Sequence, residues 1–156
     1  MIPFETLVHL RRARDVIDRH HAQPLDLEAL AREAGFSRAH FARSFHTAFG
    51  EPPRAYLTRR RVERAKDLLR TANLTVTEIC FLVGFSSLGS FSTRFAEIVG
   101  CSPTDYRRAH VARGGPPPVP GCFLMAWSRP VLPSHRDAHD PHDTARGEKQ
   151  PGEQRT

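Results

Sequence analysis

One pattern stands twice in this chain, and it constrains the fold more than any other feature. Gly35-Phe36-Ser37, then Phe41, Phe45, Gly50, Pro53 and Tyr56, recurs as Gly84-Phe85-Ser86, Phe91, Phe95, Gly100, Pro103 and Tyr106. Upstream, Leu27, Leu30, Ala31 and Ala34 recur at +49 as Val76, Ile79, Cys80 and Val83. The offset becomes +50 after the second Gly-Phe-Ser, because that copy holds one extra residue before its Phe. A small unit present twice predicts that whatever it binds is bound twice, at a fixed separation.

Each copy spells helix, glycine turn, helix. Asp26 is placed to cap a short helix, 27–34, whose Leu27, Leu30, Ala31 and Ala34 fall at helical spacing. Gly35 ends it, since glycine takes a positive φ cheaply at a helix C-terminus. Ser37 caps the next helix, 38–49, with Phe41, Phe45 and Phe49 on its inner face. Pro53 suits the first turn of a long linker helix to Thr71, which buries Tyr56, Leu57, Val62, Ala65, Leu68 and Leu69 and leaves Arg59, Arg60, Arg61, Arg64 and Lys66 largely outside. The second copy follows the same plan: a cap near Thr75, helices over 76–82 and 87–99, and a last helix from Pro103 to about Val111. Residues 6–21 read as an amphipathic first helix through Leu7, Leu10, Val16 and Ile17. No alternating run is long enough for a strand, so the expected class is all-α.

The domain is expected over 7–112, with helix-turn-helix units at 27–49 and 76–99 and the linker helix at 53–71. From Gly114 a Gly/Pro cluster breaks the pattern, and 113–156 reads as a Pro-rich, largely disordered tail. Within it, Cys122-Phe-Leu-Met-Ala-Trp127 is an apolar island, expected to fold back on the helices or to dock a partner. Residues 1–113 hold 18 Lys/Arg against 12 Asp/Glu, whereas 114–156 hold 5 of each. The excess positive charge lies on the repeat, which points to a polyanionic partner. Cys80, Cys101 and Cys122 form no ligand spacing, and so sparse a set fits a reducing compartment. No signal-peptide pattern and no long apolar run is present, so the expected location is cytoplasmic, with no membrane partner.

In a helix-turn-helix the second helix enters the major groove and its exposed N-terminal residues meet base edges. On the first copy that face carries Arg38, Ala39, Ala42, Arg43 and His46; on the second, Ser87, Leu88, Gly89, Ser92 and Thr93. Arg forks onto guanine, alanines meet thymine methyls, and Ser and Thr read less strictly, so the first copy is expected to dominate discrimination. Arg59, Arg60, Arg64, Lys66, Arg107 and Arg108 are candidate phosphate contacts. The linker, at ~1.5 Å per residue, spans ~25 Å and can hold two reading helices roughly one DNA turn apart. Two stacked hairpins would explain the apolar positions equally well, but not the basic outer faces.

The strings GFSRAHFARSFHTAFGEPPRAYLTRRRVERAKDLL and GFSSLGSFSTRFAEIVGCSPTDYRR resemble the DNA-binding domain of AraC/XylS-type bacterial transcription regulators, over about residues 7–110. The resemblance implies a seven-helix domain with two motifs, sequence-specific promoter binding and control of transcription initiation. Its partners would be double-stranded DNA and RNA polymerase, in a bacterial, nucleoid-associated setting. By position, the family's base readers fall on Ala39, Ala42, Arg43, Leu88, Gly89, Ser92 and Thr93. Where the family often has Phe-Ser-Arg, this chain reads Phe91-Ser92-Thr93, with Arg94 one place later. A one-residue shift turns a side chain about 100° around a helix, which directs Arg94 toward a phosphate.

Such regulators also carry a sensing or dimerisation domain. With six residues before the first expected helix, no small-molecule effector domain or pocket is expected here, and regulation falls to abundance or to a partner holding the tail. Other regulators of this type are fused to a DNA alkylation-repair methyltransferase with its cysteine in Pro-Cys-His-Arg. Cys122 stands in Pro-Gly-Cys-Phe with too few residues after it, so no enzyme and no cofactor are expected. Two rival classes remain: a metal sensor using His135, His139 and His142 with Asp137, Asp140 and Asp143, and a protein-interaction module whose basic face is incidental.

Overall fold

The computed structural model describes residues 2–114 and 119–120. Among the described residues seven helices run in order: α1 (Phe4–His20), α2 (Leu27–Glu33), α3 (Arg38–Phe49), α4 (Pro53–Thr71), α5 (Val76–Leu82), α6 (Leu88–Val99) and α7 (Pro103–Ala112). The first helix starts three residues after the N-terminus, earlier than its apolar spacing suggested. A two-residue strand, β1 (Ala72–Asn73), pairs in parallel with β2 (Val119–Pro120), so one piece of the expected tail lies against the end of α4. The island at 122–127 and the histidines at 135, 139 and 142 lie outside the described residues.

Local signals set the helix ends. The Asp26 carboxylate accepts from the Glu28 and Ala29 amides, and Ser37 accepts from His40 N–H. Thr75 and Glu78 form a reciprocal capping box, and Ser102 caps α7. Each cap satisfies amide donors that a helix start leaves without an internal partner. Both glycine turns close alike: Phe36 N–H donates to Ala31 O and Phe85 N–H to Cys80 O, with Gly35 at φ 77° and Gly84 at φ 97°. The change of offset between copies has a structural cause. Ser37 caps α3, but Ser87, not Ser86, caps α6, so the extra residue lengthens the second turn ahead of the cap.

Two separate apolar cores result. Leu10, Ala13, Ile17, Leu30, Ala31, Phe41, Phe45 and Leu57 form the first. Val62, Ala65, Leu68, Leu69, Ile79, Cys80, Val83, Phe91 and Phe95 dominate the second. The spacing of Leu10, Ala13 and Ile17 on α1 matches that of Val62, Ala65 and Leu69 on α4, so the C-terminal part of α4 does for the second unit what α1 does for the first. Ring packing repeats closely: Phe41–Phe45 and Phe91–Phe95 each stand 5.7 Å apart at 60°. Tyr56 meets Phe45 at 5.7 Å and Tyr106 meets Phe95 at 5.6 Å, so the tyrosines that follow each reading-helix candidate close its core. Phe49 and Tyr56 are half-buried rather than fully enclosed. The copies differ in one connection: six residues, 21–26, join α1 to α2, whereas four, 72–75, join α4 to α5.

Candidate nucleic-acid interface

Helices α3 and α6 have the same anatomy. Each buries a Phe pair and shows its other face, which aligns Arg38 with Leu88, Ala39 with Gly89, Ala42 with Ser92 and Arg43 with Thr93. Arg38, Ala39, Arg43 and His46 are exposed, as are Leu88, Gly89 and Thr93; Ala42 and Ser92 are half-buried beside them. Arg43 has no carboxylate partner among the described residues. Arg38 is held by Glu28 at 2.7 Å, an exposed pair of the kind that contributes roughly 0–1 kcal/mol, so it opens cheaply. Ser87 is engaged as the α6 cap, its oxygen accepting from Ser90 N–H at 3.3 Å, which leaves its hydroxyl proton free to donate.

The two helices flank a cleft of about 620 Å³. Arg38, Arg54, Arg61 and Arg94 line it, against Asp26 and Glu28, with Pro52, Leu57 and Phe85 among its apolar walls. Its charge is therefore net positive. Arg54 belongs to this wall, is exposed, and has no ion pair among the described residues. Its place in the first turn of the linker helix, next to Pro53, is the sequence signal that marks it.

The linker arginines differ from expectation. Arg59, Arg60 and Arg61 are half-buried, not largely outside: Arg59 is held by neighbours in sequence, whereas Arg60 and Arg61 reach partners on α1 and the loop after it. Arg59 donates to Glu51 and Glu63 and lies over the Tyr56 ring. Those bonds, Glu51's first, hold its pKa above the usual arginine value. Arg60 pairs with Asp18 at 2.9 Å and with Glu63 at 2.9 Å. Asp18 also accepts from the Tyr56 hydroxyl, whose pKa burial and that bond push up. Arg64 is exposed and Lys66 half-buried, and neither has a carboxylate partner among the described residues. On the second unit Arg94 pairs with Glu97 at 2.8 Å and Arg108 with Asp105 at 3.1 Å, both exposed. Arg107 is half-buried, its Nε and Nη2 enclosed without a hydrogen-bond partner among the described residues, and burial lowers its pKa.

Among the described residues no helix is long and apolar enough to cross a membrane. A family model described as a helix-turn-helix domain matches residues 30–109. The virulence regulon transcriptional activator VirF of Yersinia enterocolitica is 30% identical over 104 residues, covering 67% of this chain and 38% of VirF. The transcriptional activator AarP of Providencia stuartii is 37% identical over 83 residues, covering 53% of this chain and 62% of AarP. This chain thus spans less than two thirds of either relative's length. Among solved structures, the DNA-binding domain of AdpA, a global transcriptional factor crystallised with a target DNA, superposes with a TM-score of 0.63. It is 34% identical, and the match covers 67% of this chain and 94% of that one.

Proposed function

Because this chain belongs to the AraC-type family of helix-turn-helix transcription regulators, we propose that it binds promoter DNA as a monomer and reads two successive major grooves, one with α3 and one with α6. The observation that carries this is the pair of equivalent helices, each anchored by two phenylalanines and exposed on the opposite face, mounted on one 19-residue helix. That helix is about 28 Å long, which suits reading heads one DNA turn apart. Arg43 forks onto a guanine, Ala39 and Ala42 meet thymine methyls, and His46 and Arg38 complete the first head. Leu88, Gly89, Ser92 and Thr93 make a smaller, less polar second face, with Ser87 donating its hydroxyl proton. Control of transcription initiation, with RNA polymerase as the partner, completes the proposal.

Backbone contact falls to Arg54, Arg64 and Lys66, which have no carboxylate partner among the described residues, and to Arg94 and Arg108, whose exposed pairs exchange readily for phosphate. Arg59 and Arg60 are withdrawn from that role by Glu51, Glu63 and Asp18, and Arg107 by its burial. A titration of duplex binding against salt tests the reading. Affinity should fall linearly in log–log form, with a slope of about −0.9 for each phosphate neutralised. Binding that is absent, or indifferent to salt, would make the basic face incidental and the chain a protein-interaction module.

A further inference from the structure

We propose that Arg61 is a positioning residue that clamps the α1–α2 loop to the Gly84 turn, and so sets the spacing between the two half-sites that the protein accepts. The consequence for DNA rests on the two-groove reading; the clamp itself does not.

Arg61 stands on the inner stripe of α4, in line with Leu57, Ala65 and Leu68, and has no carboxylate partner among the described residues. Its Nε donates to His21 O at 2.6 Å and its Nη2 to Gln23 O at 3.0 Å. Those carbonyls lie just past the end of α1, where a helix leaves acceptors unsatisfied and favours a cation. The same guanidinium faces the Phe85 ring, 5.9 Å from its centroid. One side chain therefore touches the first unit's long loop and the second unit's turn. Burial lowers its pKa, yet an arginine keeps its charge, so the carbonyls are strongly held.

Gly84 closes the contact from the other side. A Cβ built there would stand 2.9 Å from Ala22 O and 3.0 Å from Arg61 Nε. At Gly35, the equivalent position in the first copy, nothing lies within 4 Å. The repeat is therefore broken where the units meet: the six-residue loop reaches across to a turn that only glycine permits. The two cores share no residue. Beside α4, which can bend, this polar clamp is a direct contact between the units and bears on the angle between α3 and α6.

The test compares wild-type protein with Arg61→Ala and, independently, Gly84→Ala. Duplexes carry a site selected by the wild-type protein from a random duplex library, either intact or with one base pair inserted between half-sites, which shifts them by about 34° and 3.4 Å. Wild type should prefer the intact spacing, and each variant should lower that preference about tenfold, equivalent to ~1.4 kcal/mol. An equal loss on both duplexes, or no loss, overturns the clamp. A wild type indifferent to spacing sinks the two-groove reading instead, and the clamp is then decided without DNA. Spin labels on cysteines replacing Glu33 and Thr77, with Cys80, Cys101 and Cys122 changed to alanine, report the distance between α2 and α5. Its distribution should broaden in Arg61→Ala; an unchanged width overturns the proposal.

Discussion

Arg43, Arg64 and Arg60 lie within about 20 residues of one another in sequence, yet on the proposed reading their surroundings give them three different tasks. Arg43 points outward with no carboxylate partner among the described residues, so Arg43→Ala should weaken the best site by about 1–3 kcal/mol and relax preference at one base, while binding to random duplex barely changes. Competitive selection on operators varied at that base measures this. Arg64→Ala should flatten the salt slope by about 0.9 across all sequences, the mark of one lost phosphate contact. Arg60→Ala should leave the slope intact and lower the melting temperature, since it strands Asp18 and loosens Tyr56. A slope change in Arg60→Ala equal to that in Arg64→Ala would contradict this division of labour.

The helices themselves are stabilised by short-range chemistry, and their pH dependence follows from the caps. Asp26 accepts from two amides, Ala29's and Glu28's, and these bonds hold its pKa below the ordinary carboxylate value. Glu78 is lowered in the same sense, first by the Thr75 amide and then by the Thr75 hydroxyl. A pKa depressed on folding contributes stability above the unfolded pKa, and that stability is lost as pH falls through the folded value. The starts of α2 and α5 should therefore fray below about pH 4, while the phenylalanine cores persist. Amide chemical shifts of Glu28, Ala29 and Thr75 followed by acid titration check it; unchanged shifts to pH 3 would contradict it. The glycine turns should also separate. Gly35→Ala meets only the left-handed backbone penalty, about 1–2 kcal/mol, whereas Gly84→Ala adds a collision with Ala22 O and should cost more. Denaturant midpoints of the two variants decide this, and equal midpoints would argue against the collision.

At the scale of the whole molecule, what was legible in the sequence divides by range. Caps, glycine turns and phenylalanine spacing act within a few residues, so the all-α plan and the ends of most helices could be read directly. The partners of Arg60 and Arg61 could not, because Asp18, His21 and Gln23 are about 40 residues away. One signal was available: Arg61 falls four residues after Leu57 and four before Ala65, on a stripe that is otherwise apolar. The parallel pairing of Val119–Pro120 with Ala72–Asn73 had no such signal, being two residues long. The repeat proves to duplicate its cores and the closing bonds of its glycine turns while diversifying its outer faces and the loop, 21–26, that touches the second unit. On the proposed reading, two unlike faces held at one separation call for two unlike half-sites in tandem.

That central claim is tested most directly by selecting bound fragments from a random duplex library with the intact protein. The enriched sequences should contain two dissimilar motifs in a fixed order, about 10 base pairs from centre to centre, with the stricter motif under the α3 head and loosened by Arg43→Ala. A palindrome, a single short motif, or no enrichment over random duplex would contradict the account.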